Sequence, residues 1–317
     1  MGKIAVALAN WNGMKYLERC LDSVFAQTCA PQEVVLVDNG STDGSARWVA
    51  DHYQQVQLHL NETNEGFAAG YNKAIAACSQ PFVLILNTDV FLAPDFIECA
   101  LASLSEHPTA GAATGCVFQQ ATGEWLNSGF FLRPQIRTDH SANLDDPEAV
   151  FGCSGALILF RREMLEDVRI EGQYFDEAYF SYGEDIDLAW RAQLLGWQAR
   201  FEPKARAHHV GSGSSDERLR FVDKPAFLQR HVLKNRYLTL VKNTYGGLLL
   251  PVLPLFILAE PLVWIYLLLR LPWRFPYLLL AYVDVARHLP AALRWRRQVM
   301  RRRRVSAAYI RQFLRRV

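Results

Sequence analysis

The 317 residues, half of them hydrophobic, are enough to bury a full core in one large domain or two modest ones. The net charge of +2 conceals a gradient: 11 of the 34 Lys and Arg follow Asp284, where no acid occurs, leaving 23 basic against 32 acidic residues before it. An acidic body with a basic tail and no nucleic-acid motif argues against nucleic acid as a partner. The cysteines, at 20, 29, 78, 99, 116 and 153, form no C-x-x-C pair and no zinc-like spacing, which favours core packing in a reduced cytosolic compartment over a disulfide scaffold.

Along the chain, apolar runs alternate with helical patterns. Ile4 to Ala9 reads as a strand, too short for a secretory leader, so the amino end is expected to stay in the cytosol. A helix follows from about Gly13 to Gln27, with Leu17, Leu21, Val24 and Phe25 on one face and Asn12 as its expected cap. Strands at Glu33 to Val37, Val56 to Leu60 and Phe82 to Leu86 alternate with helices at Ser45 to His52 and Gly66 to Cys78. This is βαβ winding, an α/β class with a sheet covered on both faces. A helix from Pro94 to Glu106 and a strand near Ala112 to Val117 continue it, and the pattern weakens from Trp125 to Asp146, as in acceptor-binding loops. Val150 to Phe160 again looks like a strand, and Glu184 to Leu195 like a helix whose opening acids suit its positive end.

Beyond Tyr245 the chain changes character. Leu248 to Leu269 is almost wholly apolar, with one acid, Glu260, and prolines at 251, 254 and 261; Phe275 to Val283 is a second apolar stretch. A spanning helix needs about 20 apolar residues, but three prolines favour a broken, interfacial or re-entrant arrangement at least as well. The arginines and tryptophans behind it suit an anionic membrane surface on the cytoplasmic side. The alternative is a hydrophobic helical subdomain or dimer interface with a solvated basic face.

The chemistry concentrates at strand ends. Phe82 to Leu86 runs into Asn87-Thr88-Asp89, and Val34 to Val37 into Asp38-Asn39-Gly40-Ser41. Ligands of open α/β sheets bind outside the carboxyl ends of strands, where such groups can hold a divalent cation and a phosphate-bearing substrate. Asp38 and Asp43 are equally suited to shaping a turn and capping the next helix. Asn64-Glu65-Gly66 opens a helix suited to ribose or diphosphate.

In this order, "ALANWNG", "VVLVDNGSTDGS", "NEGFAAGYN", "LILNTDV" and "SYGEDIDLAWR" resemble the family 2 glycosyltransferases of GT-A fold, particularly their rhamnosyltransferase-like branch, over about residues 3 to 215. The resemblance implies a Rossmann-like mixed sheet with helices on both faces and inverting transfer of a sugar from a nucleotide diphosphate donor. It implies that Ala9, Asn10 and Trp11 line the base pocket, that Asp38 bonds the base, and that Asn64 and Gly66 lie beside the donor. The family's Asp-x-Asp is here Asn87-Thr88-Asp89, leaving Asp89 as the acidic ligand for Mg²⁺ or Mn²⁺. His209, in Ala207 to Ser214, holds the place of a family histidine that assists it. Asp185 is implied as the general base, with Glu184 toward the acceptor or supporting the helix start.

The expected organisation is a catalytic domain over 1–243, with nucleotide-sugar-binding and acceptor-binding halves meeting near 110, and a membrane-associating helical region over 244–317. The expected reaction moves a sugar, foremost L-rhamnose from dTDP-rhamnose, to a lipid-linked or polysaccharide acceptor. A UDP-sugar donor and a non-catalytic nucleotide-sugar-binding scaffold are the alternatives. A pyrophosphorylase lacks its Gly-rich basic loop here, and a dehydrogenase its G-x-G-x-x-G.

Overall fold

Strands buried on both faces set the architecture. In the computed structural model, which describes residues 2–133, 136–141, 144–211 and 221–314 apart from the side chains of 250 and 251, β1 (Ile4–Asn10), α1 (Met14–Phe25), β2 (Glu33–Asp38), α2 (Ser45–His52), β3 (Val56–Leu60), α3 (Gly66–Ala77) and β4 (Phe82–Leu86) form a parallel wound half. There follow β5 (Val90–Leu92), α4 (Phe96–Glu106), β6 (Ala110–Gln119), β7 (Trp125–Asn127), β8 (Phe130–Arg133), β9 (Arg137–His140) and β10 (Glu148–Val150). Next come β11 (Leu157–Arg161), α5 (Arg162–Val168), α6 (Glu184–Leu194) and β12 (Gln198–His209), and then the helices α7 (Ala226–Asn243), α8 (Leu249–Arg270), α9 (Phe275–Arg302) and α10 (Ala307–Arg311).

The main sheet has ten strands in the order β10-β12-β6-β11-β4-β1-β2-β3, with β5 on β12 and β7 on β6, and it is mixed because β11 runs antiparallel to both β4 and β6. Successive side chains of a strand point to opposite faces. Ala5, Ala7, Val35, Val37, Val83 and Ile85 therefore face α3, α5 and α6, while Ile4, Val6, Leu8, Leu36, Leu84 and Leu86 face α1 and α4. β1 has β2 on one side and β4 on the other, both parallel to it, so the winding reverses there. This switch point opens a crevice at the carboxyl ends of the strands.

Three local expectations change. Gly13, not Asn12, precedes α1; Asn12 stands at φ 53° because its Oδ1 accepts the Thr42 N–H at 2.8 Å, tying it to the next loop. The stretch Val150 to Phe160 is divided between β10 and β11, because the intervening residues turn toward α6: Gly155 donates its N–H to Asp185 Oδ2 at 2.9 Å. The weakly patterned stretch from Trp125 contains β7, β8 and β9.

α8 is not broken: it runs as one helix through Pro254 and Pro261. Among the described residues, Val252–Arg270 is the one helix long and apolar enough to cross a membrane. Its inward residues pack on protein: the Phe256 ring lies 5.6 Å from that of Tyr237, Leu267 clusters with Leu233 and Leu278, and Glu260 pairs with Arg236 at 3.3 Å. Its outward face is bare, with Leu258 70%, Leu262 68% and Leu269 74% exposed. Leu248, Val252, Phe256, Trp295, Val299 and Phe313 join the same core cluster as the sheet.

Candidate active site

The crevice at the switch point gathers most of the residues singled out from the sequence. Asn10, fully buried at the end of β1, donates to Asp38 Oδ2 and to Ser45 Oγ, each at 2.8 Å. The other Asp38 oxygen accepts the Ser41 N–H at 2.8 Å. Asp38 thus shapes its turn and retains lone pairs for a ligand, since a carboxylate offers about four acceptor positions. Asp43 caps its own turn, accepting from Ser45 N at 3.0 Å and from Met14 N at 2.9 Å. Ala9 is partly buried at the same edge and Trp11 is 56% exposed at the rim. Asn64 Oδ1 accepts the Gly66 N–H at 2.9 Å, setting the entry to α3. Gly66 has φ 89°, and a Cβ there would come within 2.6 Å of the Phe180 carbonyl oxygen.

Asn87-Thr88-Asp89 follows β4 on the neighbouring strand end. The Asn87 side chain accepts from Tyr71 OH at 3.2 Å, and its N–H donates to Ala156 O at 2.9 Å. Asp89 is 6% exposed and His209, at the end of β12, 7% exposed. The His209 Nε2 lies 3.2 Å from Asp89 Oδ1, yet neither ring nitrogen makes a hydrogen bond in this buried place. An imidazole and a carboxylate that converge without bonding to each other fit two ligands of one divalent cation. Among the described residues no group of three or more His, Cys, Asp or Glu side chains converges, so donor oxygens and water would complete such a shell. Residues 212 to 214 of the His209 segment lie outside the described residues.

The acids of α6 divide by environment. Asp185 is half-buried and takes two backbone donors, Gly155 at 2.9 Å and Ile186 at 2.8 Å. Burial raises its pKa, and the two N–H groups oppose the rise. Glu184 is buried, with Oε2 unpartnered, and burial followed by the Asp185 charge pushes it well above the ordinary carboxylate range. Asp187 serves the fold: Arg191 at 3.0 Å, Lys242 at 2.9 Å and Asn243 at 2.8 Å surround it. Burial would raise its pKa, but the Lys242 and Arg191 cations hold it low. Lys242 also reaches Asp176 at 2.7 Å, locking α7 beneath α6.

The two sides of the crevice are joined by short links. Gly155 bonds Asp185 while the next residue, Ala156, accepts from Asn87. The turn before α6 places Phe180, Tyr182 and Gly183 at positive φ, and the Phe180 carbonyl accepts the Ala68 N–H of α3 at 3.2 Å. Asn235 of α7 holds that turn through Nδ2, which lies 3.0 Å from Tyr179 O, 3.0 Å from Ser181 O and 2.7 Å from Tyr182 O. Sequence reasoning missed Asn235, Lys242 and Gly155; the repeated Lys-Asn pairs at 234–235 and 242–243 were the available signal.

A mixed sheet with polar strand ends and an acidic helix opposite is matched at the sequence level, where the model described as glycosyl transferase family 2 covers residues 5–169. The chain belongs to glycosyl transferase family 2. This family 2 glycosyltransferase is 29% identical over 236 residues to N-acetylglucosaminyl-diphospho-decaprenol L-rhamnosyltransferase of Mycobacterium tuberculosis, covering 65% of this chain and 75% of that protein. It is 24% identical over 222 residues to the poly-beta-1,6-N-acetyl-D-glucosamine synthase of Staphylococcus epidermidis, of whose length it spans 48%. Among solved structures, S. aureus TarS 1-349 in complex with UDP shares the fold with a TM-score of 0.56 and 19% identity, over 93% of this chain and 89% of that one. GalNAc-T7 with UDP, GalNAc and Mn²⁺ does so with a TM-score of 0.60 and 17% identity, over 76% of this chain and 48% of that one. The fold is GT-A.

Proposed function

We propose that the protein transfers a sugar, foremost L-rhamnose from dTDP-rhamnose, to a lipid-linked or growing cell-surface glycan, with inversion at the anomeric carbon. The observation that carries the reading is the pair of consecutive residues, Gly155 and Ala156, that ties Asp185 to the Asn87-Thr88-Asp89 end of β4. In this reading a base and a leaving-group site share one crevice. The similarity to a rhamnosyltransferase acting on a diphospho-decaprenol acceptor supports the donor sugar and acceptor class. A UDP-sugar is the second donor reading, favoured by the UDP complexes of the solved neighbours.

In this reading Ala9, Asn10, Trp11 and Asp38 receive the base, and Asn64, Gly66 and Asn87 flank the ribose and diphosphate. Asp89 and His209 hold Mg²⁺ or Mn²⁺, which when bound neutralises charge on the departing diphosphate. Asp185 takes the proton of the acceptor hydroxyl as its oxygen bonds to the anomeric carbon, and the diphosphate leaves with the electron pair of the broken bond. Its burial favours accepting that proton, while the Gly155 and Ile186 N–H groups fix its aim. Burial, and then the Asp185 charge, favour the protonated form of Glu184 beside it.

Membrane association fits α8 lying in the plane of the cytoplasmic leaflet rather than crossing it. A crossing would carry α7, with Lys234 and Arg236 along its length, into hydrocarbon. Leu258, Leu262, Leu269 and Trp273 instead face outward together with the start of α9. The reaction test is incubation of the full chain with dTDP-rhamnose, UDP-sugars, Mn²⁺ and a lipid-linked acceptor. Acceptor-dependent nucleotide release is expected; donor binding without release under any combination would favour a scaffold.

A further inference from the structure

Between the polar end of β4 and the acids of α6 stands an aromatic side chain to which the reaction scheme gives no part. Phe67 lies in the first turn of α3 and is half-buried. Its ring is held from behind, with the Tyr71 ring 4.4 Å away and the Phe175 ring edge-on at 5.7 Å. Tyr71 is in turn pinned to the end of β4, its hydroxyl donating to Leu86 O at 2.7 Å. The tip of the Phe67 ring reaches toward the base. A Cβ placed on Gly155 would meet Phe67 Cζ at 3.1 Å, Asp185 Cβ at 3.5 Å and Asp185 Oδ2 at 3.6 Å. Ring tip and carboxylate therefore border one point, and they stay neighbours because residue 155 carries no side chain to part them.

The remaining neighbours of Asp185 are largely apolar as well. Away from α3 it borders a pocket lined by Phe151, Ile158, Leu188 and Ala189. Of the titratable groups near it, Glu184 on the same helix is held toward its neutral form by burial and then by the Asp185 charge. Cys153, from the turn after β10, is a thiol that burial and then the same charge push up. Lys242 of α7 and Arg191 of α6 are engaged by Asp187, and the Tyr71 hydroxyl of α3 is turned to β4. The ionised form of Asp185 is favoured by the N–H groups of Gly155 and Ile186. Apolar groups crowding a carboxylate strip its hydration and raise its affinity for a proton.

We propose that Phe67 is a positioning residue for the base: its ring covers the α3 side of the Asp185 carboxylate, keeps water from it and so holds it ready to take a proton. This rests on the reading of Asp185 as the base given above and adds the side chain that dries it. Phe67 acts through Asp185 and takes no part in the bonds that form and break. The role also accounts for glycine at 155, since a side chain there would press on ring and carboxylate together.

The test follows the proton on Asp185 itself, by carbon NMR of the full chain in neutral detergent micelles with isotope at the aspartate carboxyl carbons. The Asp185 signal is the one that Asp185→Asn removes. Phe67→Ala should lower its titration midpoint by about one pH unit, because water then reaches the carboxylate. Phe67→Leu, apolar and nearly as large, should leave the midpoint within a few tenths of a unit. Phe67→Gln, which keeps much of the volume but is polar, should lower it as alanine does, and it stands in if the cavity left by alanine lowers thermal stability. The acid limb of kcat/KM, read as acceptor-dependent nucleotide release, should move to lower pH with the midpoint. A midpoint unchanged in Phe67→Ala and Phe67→Gln overturns the proposal, and any loss of rate in them is then a packing effect. A midpoint that moves while the acid limb stays, or an acid limb that survives Asp185→Asn, removes Asp185 as the base and the positioning role with it. The curve that fails to move tells the two failures apart.

Discussion

The two sides of the crevice, the one proposed for the donor and the one proposed for the acceptor, are built in different ways. On the donor side, Asn10, Asp38 and Asp89 sit where buried apolar strands end, and their partners come from the next loop or the neighbouring strand, as with Ser41, Ser45 and His209. On the acceptor side, α6 and its preceding turn are set by α7, which arrives some fifty residues later with Asn235 on the turn and Lys242 on Asp187. The first kind of site is fixed by the sheet and changes little when one side chain is altered. The second depends on a buried ion network, where loss of one partner strands the others.

Four substitutions break or sharpen this contrast. The largest effect is expected at Asp185, where Asp185→Asn should lower transfer about 10²–10⁴-fold, the usual range for removing a general base, with donor affinity unchanged in a nucleotide titration. Transfer that survives moves the base elsewhere. Asp89→Asn should reduce transfer on the order of 100-fold and flatten the dependence of donor binding on Mn²⁺. A wild-type metal response would remove Asp89 from the cation site.

Lys242→Met tests the other construction. It leaves Asp187 and Asp176 buried beside a missing ammonium and should lower unfolding free energy by about 3–5 kcal/mol in a urea titration. A loss below roughly 1 kcal/mol would show that the network does not carry the acceptor side.

The smallest effect is expected at Glu184, whose pKa is raised by burial and by Asp185. A carboxyl group harder to ionise folded than unfolded costs stability as pH rises above its unfolded value, and nothing below it. Glu184→Gln should therefore raise Tm by roughly 2–4 °C at about pH 8 and leave it unchanged at about pH 4. A shift of the same size at both pH values would mean that the carboxyl is not held protonated by its surroundings.

The same contrast decides what the sequence discloses. Phe82 to Leu86 followed by Asn87 announces a buried strand with a polar end, because the change from apolar to polar is local. The acids at 184 to 187 mark a helix start for the same reason. β12 is hard to read because, Phe201 apart, its buried apolar positions are the alanines Ala199, Ala205 and Ala207, among charged neighbours and a proline. α7 is harder still: Gln229, Lys234, Asn235, Thr239, Lys242 and Asn243 are buried with only Leu233 and Leu238 among them, so its inward stripe is mostly polar and its apolar period weak. The tail reads correctly as apolar, yet its share in the main core, through Val252, Trp295 and Phe313, arises from contacts that sequence order does not display. For that reason truncation after Asn243 would open the core as well as remove the apolar face, and Leu258→Glu with Leu262→Glu is the cleaner way to probe vesicle binding.

The central claim is a single displacement between a donor held at the strand ends and an acceptor activated by Asp185. The most direct test is the anomeric configuration of the product, read by NMR from a reaction with a donor of known configuration. Inversion is expected; retention would require a second displacement through a protein nucleophile and would remove Asp185 from the role of general base in a single displacement.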